Sequence, residues 1–259
     1  MEKPLLPPGL TLVMPALNEE ANVRSALTRC LAAFDRMGIA GEVVVVNDGS
    51  TDRTPAIVEE LSRSDPRVRM VSHPAPQGIG ASFRDGVRAA RGEAVAMMPG
   101  DDENDPAETL RYLPLLADVD LVVPFVFNKE VRGGKRNLYS ALYLALVNLA
   151  FGTRFNYTNG TVIYRRCVLA DAPNRSDGFF FQTENVVRAA KGGYLFAEVP
   201  YRLDVRRGGG SKAVSLKSLK AVTRDFIRLF FEIRGGGARA ALAPGSVSAR
   251  RRGGVISNQ

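Results

Sequence analysis

Glu42-Val43-Val44-Val45-Val46-Asn47-Asp48-Gly49-Ser50-Thr51-Asp52 passes from an apolar run to a polar turn within one step. A short Val-rich run that ends in turn residues reads as a buried strand, here stopping at Asn47-Asp48-Gly49-Ser50. Residues 51–63 then read as a helix, with Thr51 or Asp52 positioned to cap it. The same couplet occurs on both sides. Upstream, residues 10–14 form an apolar run ended by Pro15. Residues 18–34 follow with helical spacing, Val23, Ala26, Leu27, Cys30 and Leu31 falling on one face. Downstream come a strand at 68–72, a helix at 80–90 and a strand at 94–98. This alternation predicts an α/β fold, a mainly parallel sheet flanked by helices. Ligands of such sheets bind beyond the carboxyl ends of the strands. Three polar segments occupy those ends: Pro15-Ala16-Leu17-Asn18-Glu19, Asn47-Asp48-Gly49-Ser50, and Pro99-Gly100-Asp101-Asp102-Glu103.

Beyond Asp105 the pattern loosens. Residues 109–116 look helical, 121–127 form a strand, and 161–164 and 195–200 are shorter strands. Residues 138–151 are apolar nearly all round, which implies burial in protein or at an interface. Residues 215–234 carry a strong helical signal. Leu216, Leu219, Val222, Phe226, Leu229, Phe230 and Ile233 take one side; Lys217, Lys220, Arg224 and Arg228 take the other. From Gly235 onward Gly, Ala, Ser and Arg dominate, and disorder is expected.

The 259 residues suffice for one sizeable α/β domain with a small appendage. The net charge of +8 is uneven: from Pro200 to the end the chain has thirteen Lys/Arg and three Asp/Glu, over a near-neutral body. Such a segment suits an anionic partner. Its cations are interleaved with few aromatics outside the 215–234 helix, so nucleic acid is not the expected partner. Cys30 and Cys167 read as reduced thiols, and the single His73 adds little to any metal site. The N-terminus has no leader pattern, and no stretch reaches the length of a spanning helix. The expectation is a soluble cytoplasmic protein, with contact at the cytoplasmic membrane face that is peripheral or made through a membrane partner.

The strand ends carry the chemistry. Asp101, Asp102 and Glu103 repel one another unless a cation neutralises them, and a hard ion with substrate phosphates suits that need. Bridging a diphosphate, such an ion stabilises a departing nucleotide. Gln77-Gly78-Ile79-Gly80 brings two glycines to a helix start, where backbone N–H groups approach phosphate. There is no GxxxxGK[ST] loop and no GxGxxG after the first strand. Kinase-like transfer and dinucleotide chemistry therefore lack their usual devices.

Together, the 15–19 segment, Val46-Asn47-Asp48-Gly49-Ser50-Thr51-Asp52 and the Asp-rich turn closed by Pro106 resemble family 2 glycosyltransferases of GT-A fold. More narrowly, the chain looks like the polyprenyl-phosphate hexosyltransferases, among them the dolichol-phosphate mannose synthases. The likeness extends over residues 10–212. It includes Asn159-Gly160, Tyr164-Arg165-Arg166, Phe181-Gln182-Thr183-Glu184, Arg206-Arg207 and Gly210-Ser211-Lys212. It implies nucleotide binding by Pro15, Leu17, Glu19, Asn47, Asp48, Gly78, Gly100 and Asp101. It implies Mg²⁺ or Mn²⁺ held by Asp101, Asp102 and Glu103. The family's Asp-x-Asp-x-Gln/Glu pattern departs here, since Pro99 stands in place of the first Asp. Pro124-Phe125-Val126-Phe127 stands where relatives carry Ser-Arg-Tyr. The acceptor phosphate is then assigned to Arg132, Arg136, Ser140, Arg206 and Lys212.

The resemblance also implies catalytic roles for Asp101, Gln182 and Glu184, with inversion at the anomeric carbon. A polyprenyl phosphate is already anionic and needs positioning rather than a base; Glu184 is the base if the acceptor is a hydroxyl. The expected organisation is a transferase domain over 1–212, an amphipathic helix over 213–234 and a disordered basic tail over 235–259. That helix suits an anionic membrane surface. Two alternatives stand beside this reading: a soluble transferase acting on a hydroxyl, and a non-catalytic nucleotide-sugar-binding protein.

Overall fold

The computed structural model describes residues 9–131, 134–170, 174–202, 216–235 and 241–256, with 129, 135, 216, 217 and 254–256 as backbone alone. Its first half is the expected alternation. β1 (Leu10–Ala16), α1 (Val23–Met37), β2 (Gly41–Asn47), α2 (Thr54–Ser64), β3 (Val68–Ser72), α3 (Ile79–Ala89) and β4 (Ala94–Met97) follow in turn. Then come α4 (Pro106–Leu110), a 3₁₀ turn (Leu113–Ala117), β5 (Leu121–Val126), a second 3₁₀ turn (Lys129–Val131) and α5 (Gly134–Phe151). β6 (Ile163–Arg165), α6 (Arg166–Ala170), α7 (Phe181–Gly192), β7 (Phe196–Tyr201), α8 (Leu216–Arg234) and α9 (Val247–Ile256) complete it.

Seven strands form one sheet in the order β3-β2-β1-β4-β6-β5-β7. All pairings are parallel except those of β6, which runs against both β4 and β5. Both faces are covered, which is why β1 and β2 read as continuous apolar runs rather than alternating ones. The pleat still sorts them. Leu12, Met14, Val43 and Val45 face a core shared with Leu27, Cys30 and Phe34 of α1. Val13, Val44 and Val46 face the other, with Phe83 of α3, Phe181 of α7 and Phe151 of α5. Each fully buried Val or Leu removes apolar area worth about 1.5–3 kcal/mol from water, so the two-sided burial dominates the stability of the sheet.

Two elements depart from expectation. The apolar face of α8 packs inward: Val222, Phe226, Phe230 and Ile233 lie on the second core. The Phe226 ring sits 5.3 Å from that of Phe151 and 6.0 Å from that of Phe180. On its other side Arg228 pairs with Glu184 at 3.3 Å and Asp225 at 3.4 Å. Most of the helix's apolar side is therefore committed to the core, while Leu219, Ile227 and Phe231 stay exposed.

Residues 241–256, expected to be disordered, dock instead. Asp120, fully buried, accepts the amides of Val247 (2.6 Å) and Ser248 (3.1 Å) and the Ser248 hydroxyl, satisfying donors at the start of α9. The partner lies more than a hundred residues upstream, so local composition conceals the contact.

Candidate active site

Chain passage from β1 through β2 to β3 runs to one side of the sheet, and β4 then returns to the opposite side of β1. The carboxyl ends of β1 and β4 therefore bracket a crevice where connections diverge, the place ligands take in open α/β sheets. The three polar segments predicted from sequence meet on this rim.

The first two are stapled to each other. Asn18, held at φ +54°, accepts the Thr51 amide at 2.9 Å and donates its own to the Ser50 hydroxyl at 3.0 Å. The Glu19 amide donates to Thr54 Oγ1 at 2.8 Å. The Glu20 and Arg53 amides take the carboxylates of Asp52 and Glu20 at 3.0 Å. Asp52 thus serves the rim and the start of α2 together, since it also accepts the Thr54 amide. Pro15 is buried in β1, and its carbonyl takes the Gly100 amide at 3.1 Å. Leu17 is half-buried. Asn47 turns its side-chain oxygen to the Ser50 amide, closing the β2 turn at 3.0 Å.

Asp48 is nearly buried and accepts three donors: His73 Nδ1 at 2.7 Å and the amides of Gln77 (2.8 Å) and Gly78 (2.9 Å). Burial alone would raise its pKa, but His73 and the two amides outweigh it and hold the carboxyl below the ordinary value. Its role is to curl the 73–78 turn against the sheet edge. The glycines there also have a different task from the one expected. The Gly78 amide is taken by Asp48, and Gly80 donates to the Asp177 carbonyl at 2.7 Å. Gly78 lies at φ +103°, and a Cβ at Gly80 would stand 2.1 Å from the Ser176 carbonyl oxygen. They allow backbone to approach backbone, so neither amide is directed at phosphate.

The Asp-rich turn separates its carboxylates. Asp102, at φ +57°, is drawn to α1, where Ser25 donates at 2.6 Å and Arg29 at 2.8 Å. Asp101, half-buried, and Glu103, exposed, stay at the end of β4, with the Glu103 amide on Asp101 Oδ1 at 3.2 Å. Among the described residues no three His, Cys, Asp or Glu side chains gather as a metal cluster. Two carboxylates nonetheless fit a hard cation that takes the rest of its shell from diphosphate and water. Of the three expected donors, Asp102 is the one tied to α1, while Asp101 and Glu103 stay at the end of β4.

Gln182 and Glu184 start α7 and are enclosed. Gln182 accepts from the Tyr164 hydroxyl at 3.2 Å and donates to the Gly160 carbonyl. Glu184, 0% exposed, accepts from Arg188 (2.8 Å), Arg228 (3.3 Å) and the Ser176 amide (3.0 Å). An Arg-paired carboxylate without solvent access holds α7, α8 and the 175–176 segment together, and that corrects its assignment as a base.

Beside the Asp-rich turn lies a cleft of about 110 Å³, lined by Pro99, Asn104, Tyr157, Asn159, Thr161 and Tyr201 among others. A second, of about 270 Å³, shares Val126 and Tyr157 with it and runs along α5 past Asn137, Ser140 and Asn148. Ser140 lines this cleft, and Arg136 is exposed one turn before it. Arg132, Arg206 and Lys212 lie outside the described residues. His73 is the residue that sequence reasoning passed over. Its signal was positional: the only histidine of the chain directly follows the third strand, on the same rim as Asp48.

Residues 11–182 match the family model described as glycosyl transferase family 2. Over 209 residues the chain is 27% identical to the low-salt glycan biosynthesis hexosyltransferase Agl6 of Haloferax volcanii, covering 78% of this chain and 49% of that one. Over 235 residues it is 28% identical to the succinoglycan biosynthesis protein ExoO of Rhizobium meliloti, with 83% and 66% covered. The chain spans between 33% and 66% of the length of the curated relatives it matches. Its fold is shared with glucosyl-3-phosphoglycerate synthase from Mycobacterium tuberculosis, solved in complex with Mn²⁺, uridine diphosphate and phosphoglyceric acid. The TM-score is 0.65 at 22% identity, over 88% of this chain and 78% of that one.

Proposed function

The chain belongs to glycosyl transferase family 2 and has the GT-A fold, and on that premise we propose that it is an inverting hexosyltransferase from a nucleotide-sugar donor to a polyprenyl phosphate. The stapled rim of the β1 and β2 ends supports the donor half: it offers a rigid, polar edge beside the Asp101 turn. Asp101 and Glu103 are the residues that would hold Mg²⁺ or Mn²⁺. Bound there, the cation supplies neutralisation of the charge developing on the leaving diphosphate.

The acceptor half is carried by one observation, the outer face of α5. Val147 and Phe151 anchor the helix in the core, while Leu138, Tyr139, Leu142, Leu146 and Leu149 stand exposed, Leu149 at 83%. Leu138, Leu142, Leu146 and Leu149 follow helical spacing and form one stripe. Exposed Arg136 and Arg154 bracket it, and residues 134–154 contain no acid. No described helix is long and apolar enough to cross a membrane. A helix of this kind lies on an anionic lipid surface, apolar side down and cations at the headgroups. The cleft past Ser140 opens on the same helix, so a lipid chain along α5 brings its phosphate to the crevice.

The described lining of both clefts is neutral, and Glu184 is committed elsewhere, which favours an acceptor that carries its own anionic oxygen. In the proposed step a phosphate oxygen forms the new bond to the anomeric carbon as the bond to the nucleoside diphosphate breaks. The residues of the chain orient the two partners and need accept no proton.

The test is nucleoside diphosphate release from a panel of nucleotide sugars with Mn²⁺ or Mg²⁺, with and without a polyprenyl phosphate. Release that depends on both metal and lipid is expected. Release driven instead by a hydroxylated or small phosphorylated acceptor overturns the lipid assignment and leaves the transferase standing. Metal-dependent binding with no release from any pair points to a binding protein.

A further inference from the structure

His73 lies under the rim with both ring nitrogens facing carboxylates. Nδ1 is 2.7 Å from Asp48 Oδ1 and Nε2 is 3.2 Å from Asp85 Oδ2 on α3, whose other oxygen takes Arg88 at 2.7 Å. The His73 amide donates to the Asn47 carbonyl at 2.9 Å, continuing the β2–β3 ladder into the turn. The ring is therefore held from two elements and cannot swing without breaking one contact. Asp48 passes the constraint on, since its carboxylate holds the Gln77 and Gly78 amides. Behind that turn the Asp177 carbonyl oxygen would stand 2.5 Å from a Cβ at Gly78, and Arg84 pairs with Asp177 at 2.7 Å.

We infer that His73 is a positioning residue for the donor subsite: held by Asp85, it acts through Asp48 to set the 73–78 turn on the nucleotide rim. This rests on the reading that the β1 and β2 ends receive the nucleotide. The charged groups facing the ring are Asp48 and Asp85, with Arg88 behind Asp85.

The experiment is binding of uridine and guanosine diphosphates with Mn²⁺, by calorimetry at one fixed pH. The proteins are wild type, H73A, H73N, H73Q and D85N. H73A and H73Q lose the donor to Asp48 and should bind the nucleotide about tenfold more weakly, the loss expected for a hydrogen bond to a charged group. H73N keeps a donor near the Nδ1 position and should stay within about threefold of wild type. D85N keeps a polar partner for Nε2 and should stay within about threefold of wild type. In turnover, H73A should raise the donor KM and leave kcat within about threefold.

Equal affinity in wild type, H73A and H73Q, with melting temperatures unchanged, overturns the proposal. So does a loss in H73N as large as in H73A, since that marks the site as merely structural. Absence of nucleotide binding by the wild type fails the donor reading itself and removes the proposal with it.

Discussion

Asp101, Asp102 and Glu184 are three carboxylates expected at the metal or the reacting groups, and the structure gives each a different setting. Asp101 stays at the end of β4, on the crevice. D101N should lower kcat by about 10²–10³, the scale on which an electrostatic stabiliser of a leaving group acts. Asp102 is tied to Ser25 and Arg29, at a half-exposed ion pair. D102N should cost under ~1 kcal/mol and leave kcat within about threefold. Metal titration of release by the two variants reads the difference, and equal losses in both would sink the two-residue metal assignment. Glu184 predicts the reverse balance. E184A removes a shared partner of Arg188 and Arg228, which keep Glu232 and Asp225, and should cost about 1.5–3 kcal/mol, seen as a lowered melting temperature. Lost activity at an unchanged melting temperature would restore it as a catalytic group.

Helices α5 and α8 show how element-level patterns mislead without neighbours. Periodicity assigned the membrane face to α8, whose amphipathic wheel is the cleaner of the two. The core took most of that face, because Phe226 and Phe230 meet Phe151 across the helix pair, and left Leu219 exposed. α5, apolar nearly all round, buries one side and leaves a leucine stripe outside. The two predict opposite phenotypes. F226A should cost about 3 kcal/mol through the cavity it opens and leave vesicle binding of the folded protein intact. L142E with L146E should leave the melting temperature within a few degrees while abolishing co-sedimentation with vesicles of anionic phosphatidylglycerol. Undiminished sedimentation of that double variant would dismiss α5 as the lipid surface.

At the scale of the whole molecule, buried and half-buried carboxylates set the acid limit of the fold. Burial pushes Glu42, Asp48 and Glu232 upward, but their donors outweigh it and leave all three below ordinary values. For Glu42 these are the Arg91 amide, Arg69 and Thr11; for Asp48, His73 and the turn amides; for Glu232, Arg188 and its neighbours. A group depressed on folding contributes fully above its unfolded value, about 4 for carboxylates, and loses that contribution as pH falls through its folded one. The melting temperature should therefore stay level from pH 7 to 5 and fall below about 4. A level curve down to pH 3 would show that these contacts contribute little. Sequence alone determined the α/β alternation, the parallel half of the sheet and the three strand ends that meet on the rim, because each follows from local periodicity and from turn residues that stop a strand. Tertiary structure alone decided that Asp102 faces α1, that Glu184 is enclosed by arginines, that the glycines at 78 and 80 serve backbone packing, and that the start of α9 docks on Asp120. Each depends on a partner tens of residues away in sequence, and only the packed sheet and its helices bring such partners within hydrogen-bonding reach.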